Sequence, residues 1–366
     1  RIIFMINQYF KADDTLDWDF LNQQSWIEDM ENCPQEPDWH AEGNVLIHTQ
    51  WVIKALQQLP AYLKLPLEHQ QLLTLAALFH DIGKPATTCV ENGRISAPKH
   101  AKVGEKRTRN LLWDLDRQTR EAICALVRLH GMPLWSLEKD NPNATVIEAS
   151  CRVSNEWTWM LCHADILGRI CIDPDDLLER LEYFKELCLE NECFFEPKVF
   201  FNPHSRFKFF YERHDYPQYI YDDTHFELVL MCGIAGSGKD TYLKKLNLPV
   251  ICLDDLRQQM GVVHGDTRGQ GHVIQKAYEM GKEYSAAKQS FVWNAMNLTA
   301  DLRMKLIRKF YAYRPKYKIV YIETSMENIL ERRKTDIPAK HLWNMQHSLE
   351  MPMITEAHEV VYYRNA

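Results

Sequence analysis

The chain has 366 residues, of which 46% are hydrophobic and 25% are charged, and its net charge is −7. This length is more than one compact core usually holds, so two domains of ordinary size are expected. No apolar run is as long as a membrane span, which argues against a membrane protein, and the negative charge argues against a protein that coats nucleic acid through a broad cationic surface.

The first half of the chain has the periodicity of helices. Between Asn44 and Tyr62, apolar residues recur at three- and four-residue spacing, which places them on one helical face. A second apolar helix is predicted from Leu67 to Asp81 and ends near Gly83, because glycine tolerates the left-handed conformation that follows many helices. Further helical patterns occupy His100–Leu115, Arg117–His130 and Asn155–Ile170. Strands are scarcely visible before Glu227, so we predict an all-α first domain.

Metal-ligating side chains recur along these predicted helices. They lie in the strings LeuIleHisThr, LeuPheHisAspIleGlyLys, ArgLeuHisGly and HisAlaAspIleLeuGlyArg, and they are His48, His80, Asp81, His130 and Asp165. Imidazole and carboxylate together suit Mn, Fe, Co, Ni or Zn, whereas the lack of nearby thiols argues against a structural zinc site. Any one of these histidines is better explained as a core or surface residue, so their coincidence carries the prediction. A metal bound here would generate hydroxide and polarise a phosphoryl oxygen.

The HisAspIleGlyLys string, with an upstream His and a downstream Asp, resembles the HD phosphohydrolase superfamily. The resemblance assigns His48, His80, Asp81 and Asp165 to a first metal ion, and His100 and His130 to a second. The implied cofactor is one or two transition-metal ions, drawn from Mn, Co, Ni, Fe, Cu and Zn.

Two further residues complete the predicted hydrolase site. Lys84, one turn beyond the His–Asp doublet, is placed to neutralise phosphate charge, although a cation at a helix C terminus would explain it too. His40, in HisAlaGluGlyAsnVal, is expected to assist at the phosphate.

After Asp223 the pattern changes to short apolar runs separated by helical stretches. The runs GluLeuValLeuMetCys, ProValIleCysLeu, PheValTrp and LysIleValTyrIle predict a buried parallel sheet. We therefore predict a multidomain chain, with an all-α domain over residues 1–223 and an α/β domain over residues 224–366. The stretch Phe194–Tyr221, rich in aromatic residues and prolines, is interpreted as a connector that packs between the domains, with a nucleotide-stacking surface as the alternative.

The first apolar run leads into a phosphate-binding loop, GlyIleAlaGlySerGlyLysAspThr. Its glycines let backbone N–H groups surround phosphates, and Lys239 reaches the outer phosphates. Asp240 stands where the motif expects a hydroxyl for magnesium, so that role is assigned to Thr241, as in adenylate kinase-like enzymes. The predicted ligands are Mg²⁺ and a nucleoside triphosphate, ATP or GTP. The predicted contacts are Gly233, Gly236, Ser237, Gly238, Lys239, Asp240 and Thr241, with Arg332 and Arg333.

The second apolar run ends at Asp254-Asp255-Leu256-Arg257, which suggests an acceptor site. A carboxylate at the carboxyl edge of the sheet can take the proton of an attacking hydroxyl, and an arginine can hold an acceptor phosphate. Asp254 and Arg257 are the residues predicted for these roles. On a predicted lid helix, Arg332 and Arg333 can neutralise the transferring phosphate, and Arg333 is favoured for catalysis, although ordinary solvated charges are the alternative.

Together, GlyIleAlaGlySerGlyLysAspThr, LeuAspAspLeuArg and PheValTrpAsnAlaMetAsn resemble the 5′-OH polynucleotide kinase family. The resemblance implies that Asp254 is the general base and that Arg257 contacts the 3′ phosphate of the acceptor end. It also implies substrate contacts for Asn294 and Arg303, whereas Met296 replaces the Thr of the family.

An HD module followed by this kinase resembles the bacterial HD-Pnk enzymes, which heal broken RNA ends. The resemblance implies removal of 2′,3′-cyclic, 2′- or 3′-phosphate at one end and phosphorylation of the 5′-OH at the other. The implied partners are RNA ends, with DNA ends left open, a nucleoside triphosphate and a separate RNA ligase, since no KxDG-like motif is found. Ten cysteines without a CxxC pair indicate reduced thiols and a cytoplasmic location.

Two alternatives stay open. One is a nucleotide or alarmone phosphohydrolase fused to a nucleoside or nucleotide kinase, against which Asp254 and Arg257 weigh. The other is a nucleotide-gated RNA-binding scaffold with inactive sites, against which the intact Lys239, His80 and Asp81 weigh.

Overall fold

The computed structural model describes residues 7–263, 265–333 and 336–365. The chain divides into two compact units, one ending at Val199 and one beginning at Phe200. This division lies earlier than the boundary that we predict after Asp223. The reason is the helix Pro203–Glu212, which belongs to the second unit: Arg206 donates hydrogen bonds to the carbonyl groups of residues 357 and 358, at 3.3 and 2.7 Å.

The first unit is helical, as the hydrophobic spacing predicts. Its helices are α1 (Trp18–Leu21), α2 (Ser25–Glu31), α3 (Val45–Leu56), α4 (Pro60–Leu63), α5 (Leu67–Phe79), α6 (His100–Leu111), α7 (Arg117–Leu129), α8 (Pro142–Ser150), α9 (Asn155–Leu167) and α10 (Pro174–Glu190). Short 3₁₀ turns lie at Asn7–Tyr9, Lys84–Ala86 and Met132–Glu138.

One small hairpin in this unit was not predicted from the sequence. Its strands are β1 (Cys89–Glu91) and β2 (Arg94–Ser96), and they pair antiparallel. The turn between them is Asn92-Gly93, and both residues have positive φ, 51° and 78°. Asn-Gly is a strong hairpin signal, but strands of three residues are too short to show an alternating pattern.

Helix α5 delivers two predicted metal ligands to the centre of the unit. Every residue from Leu72 to Phe79 is buried, and each large apolar side chain of this kind stabilises the fold by about 1.5–3 kcal/mol. His80 and Asp81 follow directly and are buried as well. The helix that the sequence predicts is therefore a central core element that ends at the site.

A buried ionic network holds α6 against α7. Arg109 on α6 donates to both carboxylate oxygens of Glu121 on α7, at distances between 2.8 and 3.1 Å, and it also reaches Glu105. Burial alone would raise the pKa of Glu121, but Arg109 and Arg120 lower it to about 2. Because α6 begins at His100 and α7 ends just before residue 130, this pairing brings two predicted ligands together.

The second unit is an α/β domain with a five-stranded parallel sheet, which confirms the predicted fold class. Its strands are β3 (Phe226–Cys232), β4 (Val250–Cys252), β5 (Phe291–Asn294), β6 (Pro315–Glu323) and β7 (Glu359–Arg364), in the order β4-β5-β3-β6-β7. Its helices are α11 (Pro203–Glu212), α12 (Lys239–Leu243), α13 (Leu253–Gln259), α14 (Thr267–Ala286), α15 (Ala300–Phe310), α16 (Met326–Arg333) and α17 (Ala339–Ser348). Short 3₁₀ turns lie at Tyr311–Tyr313 and Ile354–Glu356.

The sheet places the predicted kinase residues along one edge. The phosphate-binding loop follows the central strand β3, Asp254 follows β4, and Asn294 ends β5. Because the strands are parallel, these positions share the carboxyl edge of the sheet, where open α/β folds bind ligands. Within the described residues, no helix is long and apolar enough to cross a membrane.

Candidate active sites

Four predicted ligands meet in the buried centre of the first unit. The Nε2 atom of His48 lies 3.0 Å from Oδ1 of Asp165 and 3.3 Å from Nε2 of His80. The Nε2 atom of His80 lies 3.3 Å from Oδ2 of Asp81. All four side chains are buried, and a buried set of this kind is costly unless the groups are paired or bind a metal. The ligand atoms of His48, His80 and Asp165 lie within 4.8 Å of one another, close enough for one ion to contact all three, and Asp81 adjoins them through His80.

A second group of ligands adjoins the first through Asp81. The Nε2 atoms of His100 and His130 lie 3.3 Å apart, and they lie 3.5 and 3.8 Å from Oδ1 of Asp81. The other oxygen of Asp81, Oδ2, faces the first group. Asp81 therefore offers one oxygen to each group, and the structure brings all six predicted ligands into two adjoining groups.

The hydrogen bonds behind three histidines fix their tautomers. The Nδ1 atoms of His80, His100 and His130 lie 2.7–2.8 Å from the carbonyl oxygens of residues 77, 97 and 127. A carbonyl only accepts, so each Nδ1 carries a proton, and in the neutral ring each Nε2 presents a lone pair. The Nε2 atoms of His100 and His130 face each other at 3.3 Å, as do those of His48 and His80, so their lone pairs repel each other. A divalent cation bound by both rings would remove that repulsion. The donor set therefore fits one or two transition-metal ions.

Lys84 and His40 lie beside the ligands. Lys84 Nζ is 2.7 Å from Oδ2 of Asp81, 2.7 Å from Oε1 of Gln35 and 3.5 Å from Nε2 of His40. Lys84 is therefore turned toward the metal ligands, rather than lying only near a helix end. Burial lowers the pKa of His40 to about 4, so the ring is neutral at pH 7.

A cavity of about 500 Å³ opens onto these groups. Asp81, His100, His130 and Asp165 contribute to its wall, as does Lys84. Burial lowers the pKa of His130 to about 3, which keeps this ring neutral and able to bind a metal at pH 7. A phosphate-bearing substrate can therefore reach the metal ligands from the cavity.

In the second unit, the phosphate-binding loop has the backbone that its glycines predict. Gly233, Gly236 and Gly238 have φ of 151°, 85° and 99°, values that favour glycine. A Cβ atom at Gly238 would also collide with the side-chain amide of Asn365. Lys239 Nζ donates to the carbonyl groups of residues 233 and 234, at 2.9 and 3.0 Å, so it lies folded over the loop.

The hydroxyl and carboxylate after Lys239 occupy different environments. Asp240 accepts a hydrogen bond from Nδ2 of Asn294 at 3.0 Å, which ties the loop to the end of β5. Thr241 is exposed at the start of α12, whereas the Ser237 side chain is buried. The assignment of the magnesium hydroxyl to Thr241 stays a prediction.

The lid arginines both lie near the loop. Arg332 donates to the carbonyl of Gly236 at 3.3 Å. Arg333 pairs with Asp336 at 3.3 Å, and its Cγ would lie 2.9 Å from a Cβ atom at Gly236. Both cations are thus at the loop that would hold the phosphates.

The predicted acceptor residues lie on the solvent side of the sheet edge. The Asp254 side chain is 88% exposed and forms an ion pair with Arg257. Arg257 also donates from Nε to Oε1 of Gln270 at 2.7 Å, which orients the guanidinium. A large acceptor can therefore approach this carboxylate without a change in the fold.

Family models match both units. Residues 45–156 match the model described as an HD domain. The first unit contains an HD domain. Residues 228–351 match the model described as an AAA domain, whose P-loop, kinase-like fold agrees with the parallel sheet.

Other comparisons add less. No curated protein matches the chain. The solved structure of a candidate kinase from Chloroflexus aurantiacus j-10-fl is similar over 39% of this chain and 86% of that chain, with 16% sequence identity and a TM-score of 0.34. A similarity at this TM-score supports no conclusion about this chain.

Two residues of the HD domain region escaped the sequence prediction. Oε1 of Glu42 lies 2.8 Å from Nδ1 of both His40 and His48, and its Oε2 accepts the N–H of Ile170 at 2.8 Å. Burial alone would raise the pKa of Glu42, but these hydrogen bonds lower it, so the group is a carboxylate. Arg169 pairs with the Asp165 carboxylate one helical turn earlier. The available signals were a carboxylate two residues after His40 and an Asp–Arg pair at i,i+4.

In the kinase-like domain, Arg303 lies in a buried network of hydrogen bonds. This side chain is fully buried, and it donates to both carboxylate oxygens of Glu356 at 2.7 and 2.9 Å. It also donates to the carbonyl groups of residues 297 and 350, at 3.0 Å each. These contacts join α15 to the residues around Glu356, and the substrate contact implied for Arg303 stays a prediction.

Proposed function

We propose that this chain is a bifunctional RNA end-healing enzyme. The HD domain removes a 2′,3′-cyclic, 2′- or 3′-phosphate from RNA 3′ ends, and the P-loop domain transfers the γ-phosphate of ATP or GTP to a 5′-OH end. The observation that supports this most strongly is the exposed Asp254–Arg257 pair on the sheet edge that carries the phosphate-binding loop. It offers a base for a hydroxyl and a cation for a neighbouring phosphate, and a polynucleotide 5′ end presents both groups.

In the kinase reaction, Asp254 takes the proton of the 5′-OH while its oxygen attacks the γ-phosphorus. The bond from phosphorus to the β–γ bridging oxygen breaks, and the nucleoside diphosphate leaves. Arg257 holds the 3′ phosphate of the terminal nucleotide, which orients the hydroxyl. Lys239 and the N–H groups of the loop stabilise the charge on the β- and γ-phosphates. Thr241 would hold Mg²⁺, which neutralises the same phosphates when bound.

In the phosphatase reaction, the described ligands would hold the metal ions. His48, His80, Asp81 and Asp165 would bind the first ion, and His100 and His130 would bind the second with Asp81 between them. Bound metal supplies a hydroxide at neutral pH and polarises the phosphoryl oxygen. Lys84 brings a positive charge to the phosphate, while His40 stays neutral and lies beside Lys84.

These two activities have complementary products. The HD domain would leave 2′- and 3′-hydroxyls, and the kinase would leave a 5′-phosphate. A separate RNA ligase would then join the two ends.

An end-group assay tests the proposal. A short RNA with a 5′-OH and a 2′,3′-cyclic phosphate is incubated with the full chain, ATP or GTP, Mg²⁺ and each candidate transition metal, and both ends are identified by mass spectrometry. We expect a 5′-phosphate in the presence of triphosphate and a 2′,3′-diol that does not require it. Hydrolysis and phosphorylation of free nucleotides with no change at either RNA end would support the nucleotide-metabolism alternative instead.

A further inference from the structure

The cavity at the HD metal ligands is much larger than a phosphate group requires. Its volume of about 500 Å³ lies within the range of roughly 300–1,000 Å³ that is typical of pockets for whole small molecules. Two tryptophans line it together with the metal ligands, and both are about half exposed, Trp39 at 47% and Trp135 at 50%. Exposed indole faces in a catalytic cavity are available to stack on a flat ring.

Trp135 is held in place from one side. The guanidinium of Arg180 lies over its ring, 5.3 Å from the centroid. Arg180 is itself fixed by Glu138 at 2.7 Å and Asp176 at 2.8 Å. One face of Trp135 is therefore covered by Arg180, so a ligand that stacks on this ring must use the other face.

Trp39 lies in a loop that is tied to two other parts of the HD domain region. The backbone N–H of Trp39 donates to the carbonyl of Glu36 at 3.1 Å, and the Glu36 side chain accepts the backbone N–H of Ile95 on β2 at 2.7 Å. On the other side, the carbonyl of Asp38 accepts the N–H of Ile172 at 3.3 Å. The next residue, His40, contacts Lys84 at the metal ligands. Trp39 is thus anchored at a fixed position beside the reaction centre.

The wall of the cavity carries charges of both signs. Lys84 and Arg169 pair with the carboxylates of the metal ligands. Asp173 and Asp176, at the start of α10, also line the wall. The first pair of cations attracts a phosphate, whereas Asp176 is already paired with Arg180, the cation that lies over Trp135.

We propose that Trp39 and Trp135 bind the base of the terminal nucleotide while its phosphate lies at the metal ligands. The inference rests on the proposed function, because it names the part of the RNA end that the HD domain recognises. Stacking on aromatic side chains tolerates every base, since each base has a π face. The site would therefore require a terminal base but would not select its identity.

The test uses two RNA oligonucleotides that carry a 3′-phosphate and differ only in the terminal residue, which is either a normal nucleotide or an abasic one. Phosphate release gives kcat and KM for each. Trp39→Ala and Trp135→Ala should each raise KM for the base-bearing RNA by about 10- to 100-fold. The KM for the abasic RNA should rise much less. Trp39→Phe and Trp135→Phe should restore most of the affinity, because phenylalanine also stacks. Trp51→Ala, which removes a tryptophan on α3 that is 42% exposed outside the cavity, should change neither value.

Two outcomes would overturn the inference. One is an equal rise of KM for both RNAs, which would mean that the substitutions damage the metal site itself. The other is an unchanged KM for the base-bearing RNA. A third arm with a nucleoside 3′-monophosphate separates this inference from the proposed function. If the wild type acts on the mononucleotide and not on RNA, the RNA proposal fails, and base recognition stands only if the tryptophan substitutions raise KM for the mononucleotide.

Discussion

At the scale of single residues, the HD metal site depends on a carboxylate behind its ligands. Glu42 accepts from Nδ1 of His48, which leaves Nε2 of that ring free to face the metal position. The same oxygen lies 2.8 Å from Nδ1 of His40, so one carboxylate orients two imidazoles. Such partners commonly raise metal affinity by about 10- to 100-fold.

We expect Glu42→Gln to weaken Mn²⁺ binding by about tenfold. A glutamine can keep its oxygen on both imidazoles only if its NH₂ group faces the N–H of Ile170, which Oε2 of Glu42 accepts, and the amide has no negative charge to strengthen the bonds from the two Nδ1–H groups. Isothermal titration of the full chain with Mn²⁺ measures the affinity directly. Glu68→Gln, an exposed carboxylate at the start of α5, is the control. Equal affinities for the two variants would show that Glu42 does not orient the ligands.

The predictability of the site differs from residue to residue. His48, His80, Asp81 and Asp165 stand in recognisable strings, and the structure places their ligand atoms together. Glu42 and Arg169 stand in two of the quoted strings as well, but their roles come from contacts that the fold creates. The buried pair of Arg303 with Glu356 could not be predicted, because the two residues lie far apart along the chain and only the packed domain brings them together.

At the scale of elements, long segments with a regular hydrophobic pattern can be predicted from the sequence, whereas short ones cannot. Helix α5 and strand β3 lie close to the predicted ranges, because many consecutive apolar side chains define them. The β1–β2 hairpin and the strand β7 were missed. The hairpin strands have three residues each, and β7 is a half-buried edge strand that carries a weak burial pattern.

Arg303 joins α15 to the 3₁₀ turn Ile354–Glu356 through its ion pair with Glu356. Its removal should therefore lower the stability of the domain. Arg303→Ala leaves the buried Glu356 without its partner, and we expect a loss of about 3–5 kcal/mol in the unfolding free energy of the kinase-like domain. Urea denaturation of the full chain, followed with ATP-binding as a probe of this domain, measures the effect. Arg308→Ala, an exposed arginine on the same helix, should have little effect. A raised KM for RNA with unchanged stability would support the substrate role that the sequence suggested.

At the scale of the whole molecule, each unit holds the groups that its proposed reaction requires. The metal ligands, Lys84 and the cavity belong to the first unit, and the phosphate-binding loop, Asp254 and the lid arginines belong to the second. The two-domain organisation was predictable from the change between helical and strand-like patterns. The exact division was not, because α11 contacts the second unit through side chains that the connector composition did not reveal.

The central claim is that one chain carries two independent phosphate-transfer sites, and separation of the activities tests it most directly. The full chain with Asp254→Asn or Asp81→Asn is assayed on RNA bearing a 5′-OH and a 2′,3′-cyclic phosphate, with Asp255→Asn as a control for the exposed neighbour of Asp254. We predict that Asp254→Asn abolishes 5′ phosphorylation and spares 3′-end hydrolysis, whereas Asp81→Asn does the reverse. Loss of both activities in either variant would contradict two independent sites.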